Sequence, residues 1–401
     1  MQTPQMQTPH KNRSALSLGR AIFMALVVLA ATIALSACGG GGSSSSTEAT
    51  ESETTTSESA AESTEAGAPA SNEKTIEELT TRPSKIVVTE PVGKTIPSGK
   101  KIAYLENGVS SGKILGDSLE EAAELLGWEV TRIKPTSQDT SGFVAAMEQA
   151  MSENVDAITY ESLNSTTFPS ELAKAKERGI PVISASTNEK AEAVPGLTAT
   201  VGGPNFLNVE ARAAGKLMGA LVEPNSVVGE LAQGFIDLTE LQAETAEGAE
   251  ESCPTCSYAQ VTVPVTQLDK TQSYAINFIR SKEPSALIMP NEFLETGLEP
   301  AMTAAGLDPK SVKGFGGNLE TGAGLTRLAN EENLLVAGFI YPNIELGWYV
   351  VDALARLFTG GSAKPSEAAL QPWIVVKETA PPEEEPAVET FQEEFKELWG
   401  K

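Results

Sequence analysis

The chain has 401 residues, with 29 Lys+Arg against 54 Asp+Glu and a formal net charge of −25. A surface of that sign repels phosphate backbones and anionic headgroups, which excludes a nucleic-acid role and direct electrostatic membrane binding. The single histidine is His10, so beyond the N-terminus there is none for Ser-His-Asp or Cys-His catalysis or for His-ligated zinc.

Lys11, Arg13 and Arg20 precede an uncharged run over 21–37 that ends in Leu35-Ser36-Ala37-Cys38, followed at once by Gly39 to Gly42 and Ser43 to Ser46. Small residues directly before a cysteine resemble the lipobox of bacterial lipoproteins. In that class the signal is cleaved ahead of the cysteine, whose thiol then carries a diacylglycerol. The resemblance implies a signal over 1–37, lipidation of Cys38, and an extracytoplasmic protein tied to the outer face of the cell membrane. An ordinary secretory signal or a transmembrane anchor is the alternative, although the run is short for a span. Without residues 1–37 the chain keeps 26 Lys+Arg against 54 Asp+Glu, a net charge of −28.

Residues 38–80 are mostly Gly, Ser, Thr, Glu and Ala, and 39–73 hold seven Glu with no Lys or Arg. Such a composition buries too little to offset chain entropy, so a disordered tether is predicted. As a flexible coil of about 35 residues it spans about 30 Å.

From 98 to 377, short apolar runs alternate with amphipathic stretches. Strands are predicted at 101–106, 128–134, 157–161, 182–186, 227–232, 286–290, 312–315, 334–340 and 373–376. Between the first two, Leu115, Leu119, Ala122, Ala123 and Leu126 recur at helical spacing and stop at Gly127. Helical stretches at 143–151, 170–178 and 205–221 continue the rhythm. Continuous rather than alternating apolar strands argue for an α/β fold with parallel sheets covered on both faces. The span is long for one core and restarts near Val227, so two lobes are expected.

Cys253-Pro254-Thr255-Cys256 is the remaining cysteine pair. In an exported chain an even pair favours a disulfide; a redox or metal role is the alternative. The acidic tail 381–401 carries Phe391, Phe395, Leu398 and Trp399 on one helical face. That face is expected to dock on the second lobe.

In order and spacing, several segments resemble the ribose/galactose-type periplasmic binding proteins, the type I solute-binding components of ABC importers. They are Asn154-Val155-Asp156-Ala157-Ile158, Arg178-Gly179-Ile180-Pro181-Val182-Ile183, the helix containing Ala214-Gly215, Ala286-Leu287-Ile288-Met289-Pro290-Asn291-Glu292, and Val312-Lys313-Gly314-Phe315-Gly316-Gly317. The resemblance implies two doubly wound parallel-sheet lobes joined by three hinge crossings. It places the N-terminal lobe at 98–203 plus 342–364 and the C-terminal lobe at 204–341 plus 365–380. It also implies a small-molecule ligand, an ABC permease with its ATPase as partners, a monomer, and no catalysis or cofactor.

Ligands of parallel sheets bind at the carboxyl ends of strands. The candidates there are Asn107, Ser110 and Ser111; Ser186 and Thr187 with Asn188; Phe235 and Asp237; Asn291 and Glu292; and Asn318 and Tyr341. Asn291 matches the family asparagine. The stacking aromatics and gripping charges of the sugar binders are mostly replaced: Val109-Ser110-Ser111-Gly112, Ser186-Thr187 and Gly316 stand in their places. A sugar or sugar-like metabolite is expected as ligand. The alternatives are an amino acid, purine or autoinducer, or a receptor subunit for a sensor kinase or chemoreceptor. Gly314-Phe315-Gly316-Gly317-Asn318 lacks the Lys-Ser/Thr of a phosphate loop and reads as a tight turn. Glu292 and Glu295 do not read as a glycosidase pair.

Overall fold

The computed structural model describes residues 68–401 except 138–139, 235–236, 320–322, 331–333, 368–369, 371 and 384. The signal, Cys38 and the tether up to residue 67 therefore lie outside the described residues. The last part of the predicted tether is corrected: Ala68–Thr80 forms helix α1. Ile76 and Leu79, three apart on one face, pack into the core beside Leu217 and Met218 and overcome an otherwise solvated composition.

Chain order then builds the first sheet. It comprises β1 (Lys101–Leu105), α2 (Ser110–Leu125), β2 (Glu129–Ile133), α3 (Thr140–Ser152), β3 (Ala157–Glu161), α4 (Pro169–Glu177), β4 (Val182–Ala185) and β5 (Ala199–Val201). The five strands lie in the order β2-β1-β3-β4-β5, all parallel. β5 was not foreseen, because three residues carry too little pattern to read. Leu115 and Leu119 of α2 cover one face of this sheet; Met147 of α3 and Leu172 of α4 cover the other. α2 ends where Gly127 takes a left-handed φ of +71°.

α5 (Pro204–Leu221) leads into the second lobe. It is followed by β6 (Val227–Gln233), α6 (Thr239–Ser252), β7 (Ser257–Val263), α7 (Thr271–Lys282), β8 (Ala286–Met289), α8 (Glu292–Glu295), α9 (Leu298–Ala304), β9 (Lys313–Gly316), α10 (Gly324–Ala329) and β10 (Leu335–Ile340). α11 (Asn343–Phe358) returns to pack along α2, where the Ser118 hydroxyl donates to the Ile344 carbonyl at 2.6 Å. β11 (Trp373–Val376) then joins the second sheet, whose order is β11-β10-β9-β8-β6-β7. β11 runs antiparallel to β10, so the second sheet is parallel except at this edge. Cys253 and Cys256, between α6 and β7, are joined by a disulfide.

α5 and α6 approach closely because glycines face each other's backbone. A Cβ at Gly215 would collide with the Thr245 carbonyl, and one at Gly248 with that of Arg212.

The C-terminal helix α12 (Phe391–Trp399) has the expected apolar face, but it docks on the first lobe rather than the second. The reason is the aromatic surface of α11: Trp348 stacks on Trp399 at 5.4 Å and meets Phe391 edge-on at 5.4 Å. The Trp399 indole also donates to Asp352 at 2.9 Å. Between α1 and β1 the chain runs as a strap. Ile86 and Val88 are buried in the first lobe, and the Val92 amide donates to the Leu398 carbonyl at 2.9 Å. At the strap's start, Arg82 lies over the Trp373 ring at 4.3 Å and donates to the Pro386 carbonyl at 2.8 Å. Ala387 belongs to the second-lobe core and Val388 to the first. Both terminal segments therefore pass from one lobe to the other.

Candidate functional site

Parallel strands deliver their carboxyl ends to one edge of each sheet, and the polar residues there are the material of the site. Three of the six non-glycine residues with left-handed φ among the described residues sit at such ends: Ser162 after β3, Ser186 after β4 and Asn318 after β9, at +51°, +53° and +53°. Serine rarely adopts that conformation, and strained backbone collects where side chains are aimed for function.

On the first lobe, Glu161 ends β3 with only 1% of its surface exposed. Asn107, after β1, donates to Glu161 Oε1 at 2.6 Å, and Ser111 in the first turn of α2 donates to the same oxygen at 3.4 Å. Gly112 makes this geometry possible, since a Cβ there would collide with the Asn107 carboxamide oxygen. Burial pushes Glu161 up to about 7; the bonds from Asn107 and Ser111 oppose the shift and the charge of Glu106 reinforces it. Glu106 is itself matched by Arg132 and by Lys134, the latter at 3.3 Å. Ser110 starts α2 and is exposed.

The other first-lobe candidates separate. Ser186 accepts from the Tyr341 hydroxyl at 2.8 Å, and the Tyr341 ring meets Phe206 edge-on at 5.2 Å. These residues tie β4, β10 and α5 together where the chain passes between the sheets. Thr187 is fully buried and pairs with Ser184 at 3.1 Å, so its hydroxyl faces the interior of the lobe. Asn188 reaches across: its Nδ2 donates to the backbone carbonyl of Asp237 at 3.2 Å, while its Oδ1 is buried with no hydrogen-bond partner.

On the second lobe, Asn291 Nδ2 donates to Gln233 Oε1 at 3.1 Å, and Asn291 Oδ1 is also buried without a partner. Asp237 uses its carboxylate to accept from the Thr239 amide at the start of α6, which holds it below the usual carboxylate range. Glu292 is the first residue of α8. Phe235 lies outside the described residues, as does the adjacent Ile236. Asn318 is half-buried after β9.

Sequence reasoning missed Glu161 and Gln233. Glu161 ends a predicted strand and Gln233 directly follows one, so the strand-end rule that selected Ser186 and Asn291 covers them too. Depressions of 520 Å³ beside Glu90 and Arg356, and of 620 Å³ beside Tyr274 and Phe278, lie away from these strand ends.

Residues 96–362 match the family model of the periplasmic binding protein domain. The chain belongs to that family. α1, β11 and α12 lie outside the matched span. Among solved structures the chain is similar to a periplasmic ribose ABC transporter protein from Conexibacter woesei, with 13% identity and a TM-score of 0.58, covering 72% of this chain and 95% of that one. A glucose-galactose binding protein from Geobacillus stearothermophilus gives 16%, 0.58, 71% and 99%. The myo-inositol binding protein of Caulobacter, bound to myo-inositol, gives 17%, 0.56, 72% and 96%. At these identities the likeness establishes the fold: two α/β lobes with sheets that are mainly parallel. No curated protein matches the chain.

Proposed function

We propose that this chain is an exported, lipid-anchored solute-binding protein that captures a small hydroxyl-rich molecule, such as a sugar or polyol, and delivers it to an ABC permease. The lobes in this reading are residues 98–203 plus 342–364 and 204–341 plus 365–380, closing on the ligand about the chain crossings between them. It carries out no bond chemistry. The observation that carries the reading is the pair of buried, unpartnered carboxamide oxygens, Asn188 Oδ1 on one lobe and Asn291 Oδ1 on the other. A buried acceptor without a donor costs about 1–3 kcal/mol, and a polyhydroxylated ligand that donates one hydroxyl to each oxygen removes that cost on both lobes. Glu161 at the end of β3 and Gln233 at the end of β6 add further polar groups at the carboxyl ends of the two sheets.

A thermal-shift series against sugars, polyols, amino acids and purines tests this. A ligand at 100 times its Kd stabilises the protein by about 2.7 kcal/mol. The expected hit is a polyhydroxylated compound, accompanied by a smaller radius of gyration in solution scattering. Stabilisation only by amino acids or purines, or scattering unchanged at saturation, refutes the reading.

A further inference from the structure

Glu161 is a buried carboxylate at the carboxyl end of β3, and no cation among the described residues pairs with it. The groups acting on it are Asn107 and Ser111, which donate to Oε1, and Glu106, which repels it. The remaining titratable and charged neighbours are committed elsewhere. Tyr104 of β1 donates its hydroxyl to the Gly112 carbonyl, and Arg132 of β2 pairs with Glu106 and Asp117. Lys134, following β2, is mostly exposed and pairs with Glu106. The second-lobe strand-end residues Gln233 and Asn291 are both uncharged carboxamides, paired with each other. Among the described residues the groups that meet Glu161 are therefore neutral donors, and the basic side chains nearby answer Glu106.

A carboxylate removed from water needs a counter-charge or it takes up a proton. Ligands with carboxylate or phosphate groups would add like charge to Glu161 and are rejected by this environment. A neutral sugar supplies hydroxyl donors but leaves the buried charge uncompensated. An ammonium group supplies both a donor and the missing charge, and a charge-assisted bond is roughly twice as strong as a neutral one. The acidic surface of the protein further favours cations in approach.

We propose that Glu161 is the specificity-determining residue of the cleft and selects a ligand that carries a protonated amine on a hydroxylated frame, an amino sugar or aminated polyol. This rests on the solute-binding reading above and names the substrate class. Asn107, Ser111 and the missing side chain at Gly112 hold the carboxylate in position.

The test compares D-glucosamine and D-galactosamine with D-glucose, D-galactose and N-acetyl-D-glucosamine by calorimetry and thermal shift on the full chain. At pH 7.5 the amines are expected to bind at least tenfold more tightly than their hydroxyl and N-acetyl counterparts. On going from pH 7.5 to pH 6 their affinity is expected to fall several-fold, because a carboxyl titrating at about 7 becomes largely protonated, an effect only partly offset by fuller protonation of the sugar amine. Neutral sugars lack that dependence. Glu161→Gln is expected to abolish both the preference and the pH dependence. The pH comparison on the unaltered protein needs no variant and stands even if that substitution unfolds the first lobe. Equal affinity for amines and neutral sugars, or a preference that survives in Glu161→Gln, overturns the proposal and leaves the sugar-binding reading in place. Stabilisation by none of the five compounds overturns the proposal, while the solute-binding reading is decided by the wider thermal-shift series above.

Discussion

Trp399→Ala should unlock the C-terminal helix from the first lobe. Trp399 is 5% exposed, stacks on Trp348 at an interplanar angle of 8°, and packs against Phe395 at 5.6 Å. Its indole N–H donates to Asp352 Oδ1, a carboxylate with no exposed surface. Asp352 Oδ2 is held at 2.7 Å by both Arg356 and Ser366. Truncating a buried tryptophan costs about 3–5 kcal/mol. Trp399→Phe keeps a ring on Trp348 and loses only the donor, so about 1–2 kcal/mol is expected. Urea unfolding followed by near-ultraviolet circular dichroism reads both, since the stacked indoles dominate that signal. The expected order of midpoints is native, then Trp399→Phe, then Trp399→Ala. A Trp399→Ala midpoint equivalent to less than about 0.5 kcal/mol, the level of an inert surface change, would refute the docking of α12.

Glu161 and Glu345 are each pushed by burial up to about 7, well above the ordinary 4.5, so the folded state holds more protons than the unfolded state between those values. Stability of the ligand-free protein is therefore fully present below about pH 4.5 for these groups and is lost as pH rises through 7, by about 3 kcal/mol each. Melting temperatures at pH 5.5 and 8 check this, and a higher value at pH 8 contradicts it; Glu345→Gln should flatten part of the slope. Gly248→Val forces a side chain into the Arg212 carbonyl on α5 and should cost at least about 1–3 kcal/mol by overpacking, measured by thermal unfolding. Asn291→Ala should weaken ligand binding about tenfold or more while leaving the fold intact by circular dichroism. Unchanged affinity there would remove Asn291 from the site.

Much of the fold was legible because its signals are local. The spacing of Leu115, Leu119, Ala122 and Leu126 marks α2, and unbroken apolar runs such as Ala286–Met289 mark strands buried on both faces. Strand ends then pointed to Asn107, Ser111 and Asn291, which the structure sets in hydrogen-bonded pairs with Glu161 or Gln233. Thr187 was selected by the same rule, yet its hydroxyl turns inward, because residue position along a loop does not determine side-chain direction.

By itself the sequence determined the alternation of strands and helices, the two-lobed class, the amphipathic face of α12 and the polar character of the strand ends. These follow from periodicity and composition over a few turns of chain. Only the tertiary structure decided that residues 68–80 leave the tether as a helix, that α12 chooses α11, that Arg82 and the strap bind the two lobes from outside, and that Glu161 is buried with no counter-ion among the described residues. Each of those depends on what distant segments bring within a few ångströms: Trp348 for Trp399, Trp373 for Arg82, Asn107 for Glu161. Contact energies of that kind are set by three-dimensional proximity, which the order of residues specifies only through the fold.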